Sequence, residues 1–304
     1  MIKDRKKQRW IFVGDFETTV YEGQERTDVW ASALTRLFDP TDHVEVFNSL
    51  PATYEWILKN VHTNCIIYYH NLKFDGDFWV SYLLERGDYT QAYEDKAPLK
   101  VYEGTRFETK VRQGEFLSDK DMPPGTFKYL ISDMGQWYTV KIKRPDGYMI
   151  ELRDSLKLIP CSVKKMGKDF KTKHQKTDIE YEGYRVPGGY ISPKEKEYIA
   201  NDVLVPKEVL ELFYNEGHNK LTIGACCLSE FKSIIGDKPK GRSRYDDFFP
   251  KLDTIQIDKD IYGDADADSY IRRSYHGGWC YVKKGVENQL QGHGVTLDVN
   301  SLYP

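Results

Sequence analysis

The chain has 304 residues, 40% of them hydrophobic and 30% charged, with a formal net charge of −3. This is the composition of a globular protein with one large or two medium domains, and the near-neutral balance argues against a wholly basic nucleic-acid binder while leaving local patches open. No run reaches the ~18 apolar residues of a membrane span, the basic start Met1–Lys7 lacks the apolar segment of a secretory signal, and five cysteines without C-x-x-C spacing read as reduced thiols in a cytosolic compartment.

The first predicted element is the run Trp10-Ile11-Phe12-Val13-Gly14, which leads straight into Asp15-Phe16-Glu17-Thr18-Thr19. A short apolar run without helical period reads as a buried strand, and alternation puts Asp15 and Glu17 on one face with Phe16 on the other. Two carboxylates on one face repel and raise each other's pKa unless a cation lies between them. A hard divalent ion such as Mg²⁺, which takes carboxylate oxygens, suits that position; a solvent-facing pair of structural carboxylates is the alternative. Val29 to Phe38 and Val44 to Phe47 follow as strands around the turn signal Asp39-Pro40, and the three strands suggest a meander. A short helix is expected around Tyr54 to Val61, then a strand over Cys65–Tyr69. That strand ends in His70-Asn71-Leu72-Lys73-Phe74-Asp75, after which Phe78, Trp79, Tyr82 and Leu83 recur at helical spacing as far as Gly87. Asp75 therefore sits near a helix N-terminus, where the dipole favours a carboxylate, although capping alone also explains an aspartate there.

Residues 88–128 are polar, contain Pro98, Pro123, Pro124 and Gly125, and are expected to form a surface excursion and not a separate domain. Gln136 to Ile142 and Tyr148 to Leu152 flank Arg144-Pro145-Asp146-Gly147, a hairpin turn in which proline presets φ and glycine accepts φ > 0. Beyond Asp154-Ser155-Leu156-Lys157, six lysines between Lys164 and Lys176 fit either a phosphate track or a solvated helix face. Ser192-Pro193-Lys194-Glu195 is a capping-box helix start, and Tyr198 and Asp202, four apart, share one face of that helix. The ring of Pro206 opposes the carbonyl of Asp202, so a kink or break is expected just after Asp202. From about residue 223 the character changes. Residues 236–245 are basic and loop-like, Tyr275-His276-Gly277-Gly278-Trp279 reads as a glycine-dependent turn, and the strand from Val295 leads to a new acidic site at Asp298.

Four acids now stand in order: Asp15-x-Glu17 on a first strand, Asp75 after Asn71-Leu72-Lys73-Phe74, and Asp202 preceded by Tyr198. The set resembles the three motifs of DEDD-type 3′–5′ exonucleases, in the subclass with a tyrosine in the third motif. Together with Met134-Gly135-Gln136-Trp137-Tyr138 and Asp154-Ser155-Leu156-Lys157 it is similar to the proofreading domain of protein-primed family B DNA polymerases of bacteriophages. Tyr275-His276-Gly277-Gly278 resembles the motif that couples exonuclease and polymerase sites in that family, and Asp298-Val299-Asn300-Ser301-Leu302-Tyr303-Pro304 resembles polymerase motif A. The resemblance covers nearly the whole chain; the long 88–128 segment and Pro206 depart from it.

The resemblance implies an α/β fold: an RNase H-like 3′–5′ exonuclease domain, with a mixed central sheet flanked by helices, over residues 1–222, and the start of a polymerase palm over 223–304. It implies two Mg²⁺ or Mn²⁺ ions held by Asp15, Glu17, Asp75 and Asp202, and a palm metal ligand at Asp298. It also implies a water-orienting Tyr198, and a Lys176 that assists hydrolysis. Thr18, His70, Asn71, Phe74, Ser155, Leu156 and Tyr181 would hold a single-stranded 3′ end, and Tyr275, Gly277 and Gly278 would contact DNA between the two sites. The implied partners are the single-stranded 3′ end, primer-template DNA and a terminal priming protein, in the cytoplasm of an infected bacterial host and away from membranes. These 304 residues reach only the first of two aspartate-bearing palm motifs, so the chain itself is expected to hydrolyse DNA and not to polymerise it. Two other readings stay open: a free-standing exoribonuclease of the same fold, and a module that binds single-stranded DNA or a priming protein without catalysis. The presence of all four acids and Tyr198 argues against the last.

Overall fold

The computed structural model describes residues 9–95, 114–179, 184–236, 244–263 and 266–273, with residues 284, 285, 289 and 292. In chain order its first elements are β1 (Trp10–Thr18), β2 (Val29–Arg36), β3 (Val44–Phe47), α1 (Leu50–Asn60), β4 (Cys65–Tyr69) and α2 (Leu72–Arg86). Then come β5 (Thr90–Gln91), β6 (Tyr93–Asp95), β7 (Gly114–Phe116), β8 (Thr126–Ile131), β9 (Trp137–Lys143) and β10 (Met149–Asp154). Helices α3 (Val163–Asp169), α4 (Pro193–Asn215) and α5 (Ile223–Ile235) follow.

β1, β2 and β3 form the expected antiparallel meander, with Asp15 opposite Ala33 and Glu17 opposite Ala31. On its other side β1 runs parallel to β4, and β4 runs parallel to β10. The sheet then continues antiparallel through β9 and β8, giving the eight-stranded order β3-β2-β1-β4-β10-β9-β8-β5. A mixed sheet needs crossover connections for its parallel pairs, and α1 supplies the one between β3 and β4. β4 is buried at every position and carries no polar face, as a strand covered on both sides must be.

The two faces carry separate cores. Phe12, Phe16, Tyr54, Tyr69, Trp79 and Phe127 pack with α1 and α2 on one face, while Val13, Trp30, Ile66, Tyr68, Val203 and Leu210 pack with α3 and α4 on the other. Strand parity therefore sends Phe16 toward α2 and sends Asp15 and Glu17 to the α4 side. The 144–147 hairpin forms as expected, with Gly147 at φ +85°, and the fully buried Arg144 donates to the carbonyl of Val61 at 2.6 Å.

Three expectations change. The first helix begins at Leu50, ahead of Tyr54, because Ser49 caps it and Pro51 occupies its first turn. The described residues of the 88–128 segment are not a bare surface excursion: β5 pairs with β8 at the edge of the main sheet, and β6 and β7 form a second, two-stranded sheet. Helix α4 does not break after Asp202 but runs on through Pro206 to Asn215. Val203, Val205, Val209 and Leu210 are buried on both sides of the proline, so core packing holds the two halves in one helix.

Packing divides the chain into two compact units, 1–231 and 232–304. Among its described residues the second holds the short α-helices Tyr245–Phe248, Lys259–Tyr262 and Ala267–Arg272, and the Tyr245 and Phe249 rings stack at 4.7 Å.

Candidate metal centre

Gly14, immediately before Asp15, has no room for a side chain: a Cβ there would lie 2.8 Å from the Tyr69 ring. The close approach lets Tyr69 sit against β1, where its hydroxyl accepts from Trp79 Nε1 at 2.9 Å. Beyond that point Asp15 and Glu17 emerge half-buried at the end of the strand. Asp202, 4% exposed, projects from α4 toward them, and one oxygen from each of Asp15, Glu17 and Asp202 falls within 4.8 Å of the other two.

Asp75 lies in the first turn of α2 and is 3% exposed. It stands outside that trio, yet its charge acts on Asp15 more strongly than that of either other acid. Like Gly14, Gly76 is required by an aromatic neighbour, since a Cβ at 76 would lie 2.7 Å from the Trp137 ring. One oxygen of Asp75 and one of Asp202 are buried with no hydrogen-bond partner, an arrangement that costs free energy unless something binds there.

The electrostatics agree. Burial pushes the Asp15 carboxyl well above its usual range, and the charges of Asp75, Glu17 and Asp202 push it further, against the pull of Lys176. Burial likewise raises Asp75, with the charge of Asp154 adding to it and the backbone amides of Asp75 and Phe16 opposing. Asp202 is raised by burial despite Lys176 Nζ, which donates to its Oδ2 at 2.7 Å. Tyr198 is pushed up to about 12 by burial and by the charges of Asp202 and Glu17, and so keeps its proton. Lys176 lies 5.5 Å over the Tyr198 ring; burial works against its charge, but the bond to Asp202 outweighs it and holds the ammonium protonated.

The residues expected to hold a DNA end surround this cluster unevenly. Thr18 follows Glu17 at an irregularity in the strand, and its carbonyl accepts from Trp30 Nε1. Phe74 is 47% exposed, with its ring edge-on to Phe78 at 5.3 Å, a presented aromatic surface. Asn71 is exposed and left-handed, at φ +74°. His70 Nε2 lies 2.8 Å from the Cys161 carbonyl, so that nitrogen carries the proton; burial lowers the ring's pKa and keeps it neutral. Ser155 is fully buried, its hydroxyl 3.1 Å from the Tyr69 carbonyl and 3.0 Å from His70 Nδ1, so it faces inward; Leu156 beside it is half-buried. Tyr181, Tyr275, Gly277, Gly278 and Asp298 lie outside the described residues.

Of the six lysines, Lys164, Lys165, Lys173 and Lys176 pair with Asp178, Asp169, Asp42 and Asp202. That pairing weakens the phosphate-track reading. The sequence reading quoted Asp154 within a motif but gave no role to it, although it is a buried carboxylate that bonds the backbone of Asn71 and Leu156; an aspartate closing a strand before Ser-Leu is a cap signal that points to it. It also passed over Tyr21 and Tyr184, whose rings meet at 4.7 Å beside a cavity of about 190 Å³ lined in part by Thr18 and Trp30.

Comparison with known proteins places this arrangement. The family described as DNA polymerase type B, organellar and viral, matches residues 59–190 and 184–304. The chain belongs to this family. Among curated relatives, the DNA polymerase of Bacillus phage phi29 is 32% identical over 300 residues, covering 97% of the chain, and that of Streptococcus phage Cp-1 is 28% identical over 315 residues, covering 96%. The chain spans 44% of the length of each. Among solved structures, Phi29 DNA polymerase complexed with single-stranded DNA superposes with a TM-score of 0.65 at 30% identity, covering 91% of this chain and 41% of that one. The same polymerase with primer-template DNA gives 0.65 at 29% identity. The mixed α/β fold is thus that of the N-terminal part of these polymerases, consistent with an RNase H-like exonuclease domain.

Proposed function

We propose that residues 1–222 form a metal-dependent 3′–5′ exonuclease that removes terminal nucleotides from single-stranded DNA, and that 223–304 begin the palm of a protein-primed, DNA-directed DNA polymerase. The observation that carries the reading is the convergence of Asp15, Glu17 and Asp202 within 4.8 Å, with orphaned buried oxygens on Asp202 and Asp75. Carboxylates so crowded and dehydrated fit a site built for hard divalent cations, Mg²⁺ or Mn²⁺. Such ions, when bound, activate water and stabilise the charge that develops on a phosphodiester under attack.

The chain's own residues supply the rest. The four acids would hold the ions. Tyr198, protonated and within reach of Asp202, orients the attacking water. Lys176, a cation bonded to Asp202, balances the charge of the acids and would assist the hydrolysis step. Thr18, Asn71, Phe74 and Leu156 seat the terminal nucleotides, Phe74 by stacking, while His70 and Ser155 brace that seat from within. Neighbours solved with single-stranded and primer-template DNA support DNA as the partner.

Digestion of 5′-labelled single-stranded DNA, analysed by mass spectrometry with and without EDTA and beside RNA of equal sequence, tests the reading. Stepwise shortening from the 3′ end of DNA, abolished by EDTA, is the expected result. Metal-independent cleavage, or binding with no cleavage, overturns it, and preference for RNA moves the enzyme to the exoribonuclease class.

A further inference from the structure

We infer that Asp154 is a positioning residue for the single-stranded 3′ end, acting through the backbone of Asn71 and Leu156; the inference rests on the exonuclease reading above. Asp154 closes β10 and is 2% exposed. A single oxygen, Oδ1, accepts from the Leu156 amide at 2.9 Å and from the Asn71 amide at 3.1 Å. The first bond is a local cap on the 3₁₀ turn Ser155–Lys157. The second reaches across the fold, to a residue 83 positions away in sequence.

Asn71 has special need of that bond. It is the N-cap of α2, it makes no side-chain capping bond of its own, and its backbone is left-handed at φ +74°, ψ +60°. Asparagine tolerates that conformation better than most non-glycine residues, and surrounding contacts help to hold it there. Asn71 is exposed, the backbone of this turn sets the direction in which its side chain leaves, and Asp75 follows four residues later in the same first turn of the helix. The other Asp154 oxygen lies 3.8 Å from the Lys157 ammonium, which also bonds Gln136 and lies 5.5 Å over the Tyr138 ring. Asp154 thus ties together the ends of β4 and β10, which carry the proposed DNA contacts Asn71 and Leu156, and draws in the Gln136–Tyr138 segment. A carboxylate needed only to cap its own turn has no reason to reach Asn71.

Three variants of the full chain separate the roles. Asp154→Asn keeps a carbonyl acceptor of the same length. Asp154→Ser keeps a local cap for Leu156 but is too short to reach Asn71. Asp154→Ala removes both. Affinity for a fluorescein-labelled single-stranded oligonucleotide is read in EDTA, kcat and KM for its cleavage in Mg²⁺, and amide exchange over residues 68–75 by mass spectrometry. Leaving a buried amide unpaired is expected to weaken affinity and raise KM by about tenfold in the Ala and Ser variants, with kcat changed less. Asn is expected to restore both to within about threefold, as a partner of like geometry does. Exchange over 68–75 should quicken in Ala and Ser and not in Asn. Wild-type affinity and KM in the Ser variant, or an Asn variant as impaired as Ser, overturns the proposal. A wild-type chain that neither binds nor cleaves the oligonucleotide overturns the exonuclease reading instead, and the exchange data still report whether Asp154 holds Asn71.

Discussion

At Asp202 one oxygen accepts from Lys176 at 2.7 Å while the other is buried without a partner. The same helix face carries Tyr198, which is not proposed as a ligand. Tyr198→Phe is therefore expected to leave metal affinity intact and to slow cleavage by ~10²–10⁴-fold, the usual cost of losing one orienting or acid–base group. Calorimetry with Mn²⁺ beside steady-state cleavage makes the comparison, and a Phe variant as active as wild type would reduce Tyr198 to packing. A second residue-level test lies at Gly76. An alanine Cβ would meet the Trp137 ring at 2.7 Å, so the ring or the first turn of α2 must shift. Gly76→Ala should lower stability by ~1–3 kcal/mol and, by moving Asp75, depress cleavage as well; an unchanged melting temperature with unchanged cleavage would contradict the tight fit. At this scale the acids were legible in sequence because parity in a strand and i,i+4 spacing in a helix fix which side chains share a face. Asp154 was legible only in half: a strand-closing aspartate before Ser-Leu signals the local cap on Leu156, but the Asn71 amide that it also holds is distant in sequence.

Among elements, α4 repays the closest attention. Pro206 withholds the N–H that would bond the Asp202 carbonyl, which is why local reasoning predicts a break. What local reasoning cannot count is the buried apolar run on either side. Next to it Lys207, 1% exposed, reaches out of α4 to the β2–β3 turn, donating to Asp42 Oδ1 at 2.5 Å and to the Asp39 carbonyl at 2.9 Å. Lys207, and after it Lys173, hold the Asp42 carboxyl down to about 2. A depressed carboxylate contributes stability that is fully present above its unfolded value, ~3.9, and drains away as pH falls through the folded value. Acid titration should therefore cost the wild type roughly 1–2 kcal/mol between about pH 4 and pH 2 through this group, after allowance for its partial exposure. Asp42→Asn should lose roughly 2–4 kcal/mol at neutral pH, since it leaves a buried ammonium short of its counter-charge, and should show a shallower acid limb. Urea unfolding at a series of pH values checks both; parallel curves for the two proteins would contradict the clamp. The strands β5, β6 and β7 were illegible for a different reason: they are two or three residues long, too short for alternation to register.

At the scale of the whole molecule, the central sheet and its flanking helices bring β1 and α4 together so that Asp15, Glu17 and Asp202 form a cluster that could hold a metal ion. Ligands that bind only the folded state stabilise it, by ~2.7 kcal/mol at a hundredfold excess over Kd. Mg²⁺ or Mn²⁺ should thus raise the melting temperature of the wild type. The Asp15→Ala/Glu17→Ala double variant should show no such rise, and without metal it should melt at or above the wild-type temperature, because mutual repulsion has been removed.

The decisive measurement is cleavage of 5′-labelled single-stranded DNA in Mg²⁺ by this double variant beside the wild type, with both shown to be folded by their melting curves. The account predicts 3′–5′ shortening by the wild type and none above background by the variant. A folded double variant that cleaves at the wild-type rate would contradict it.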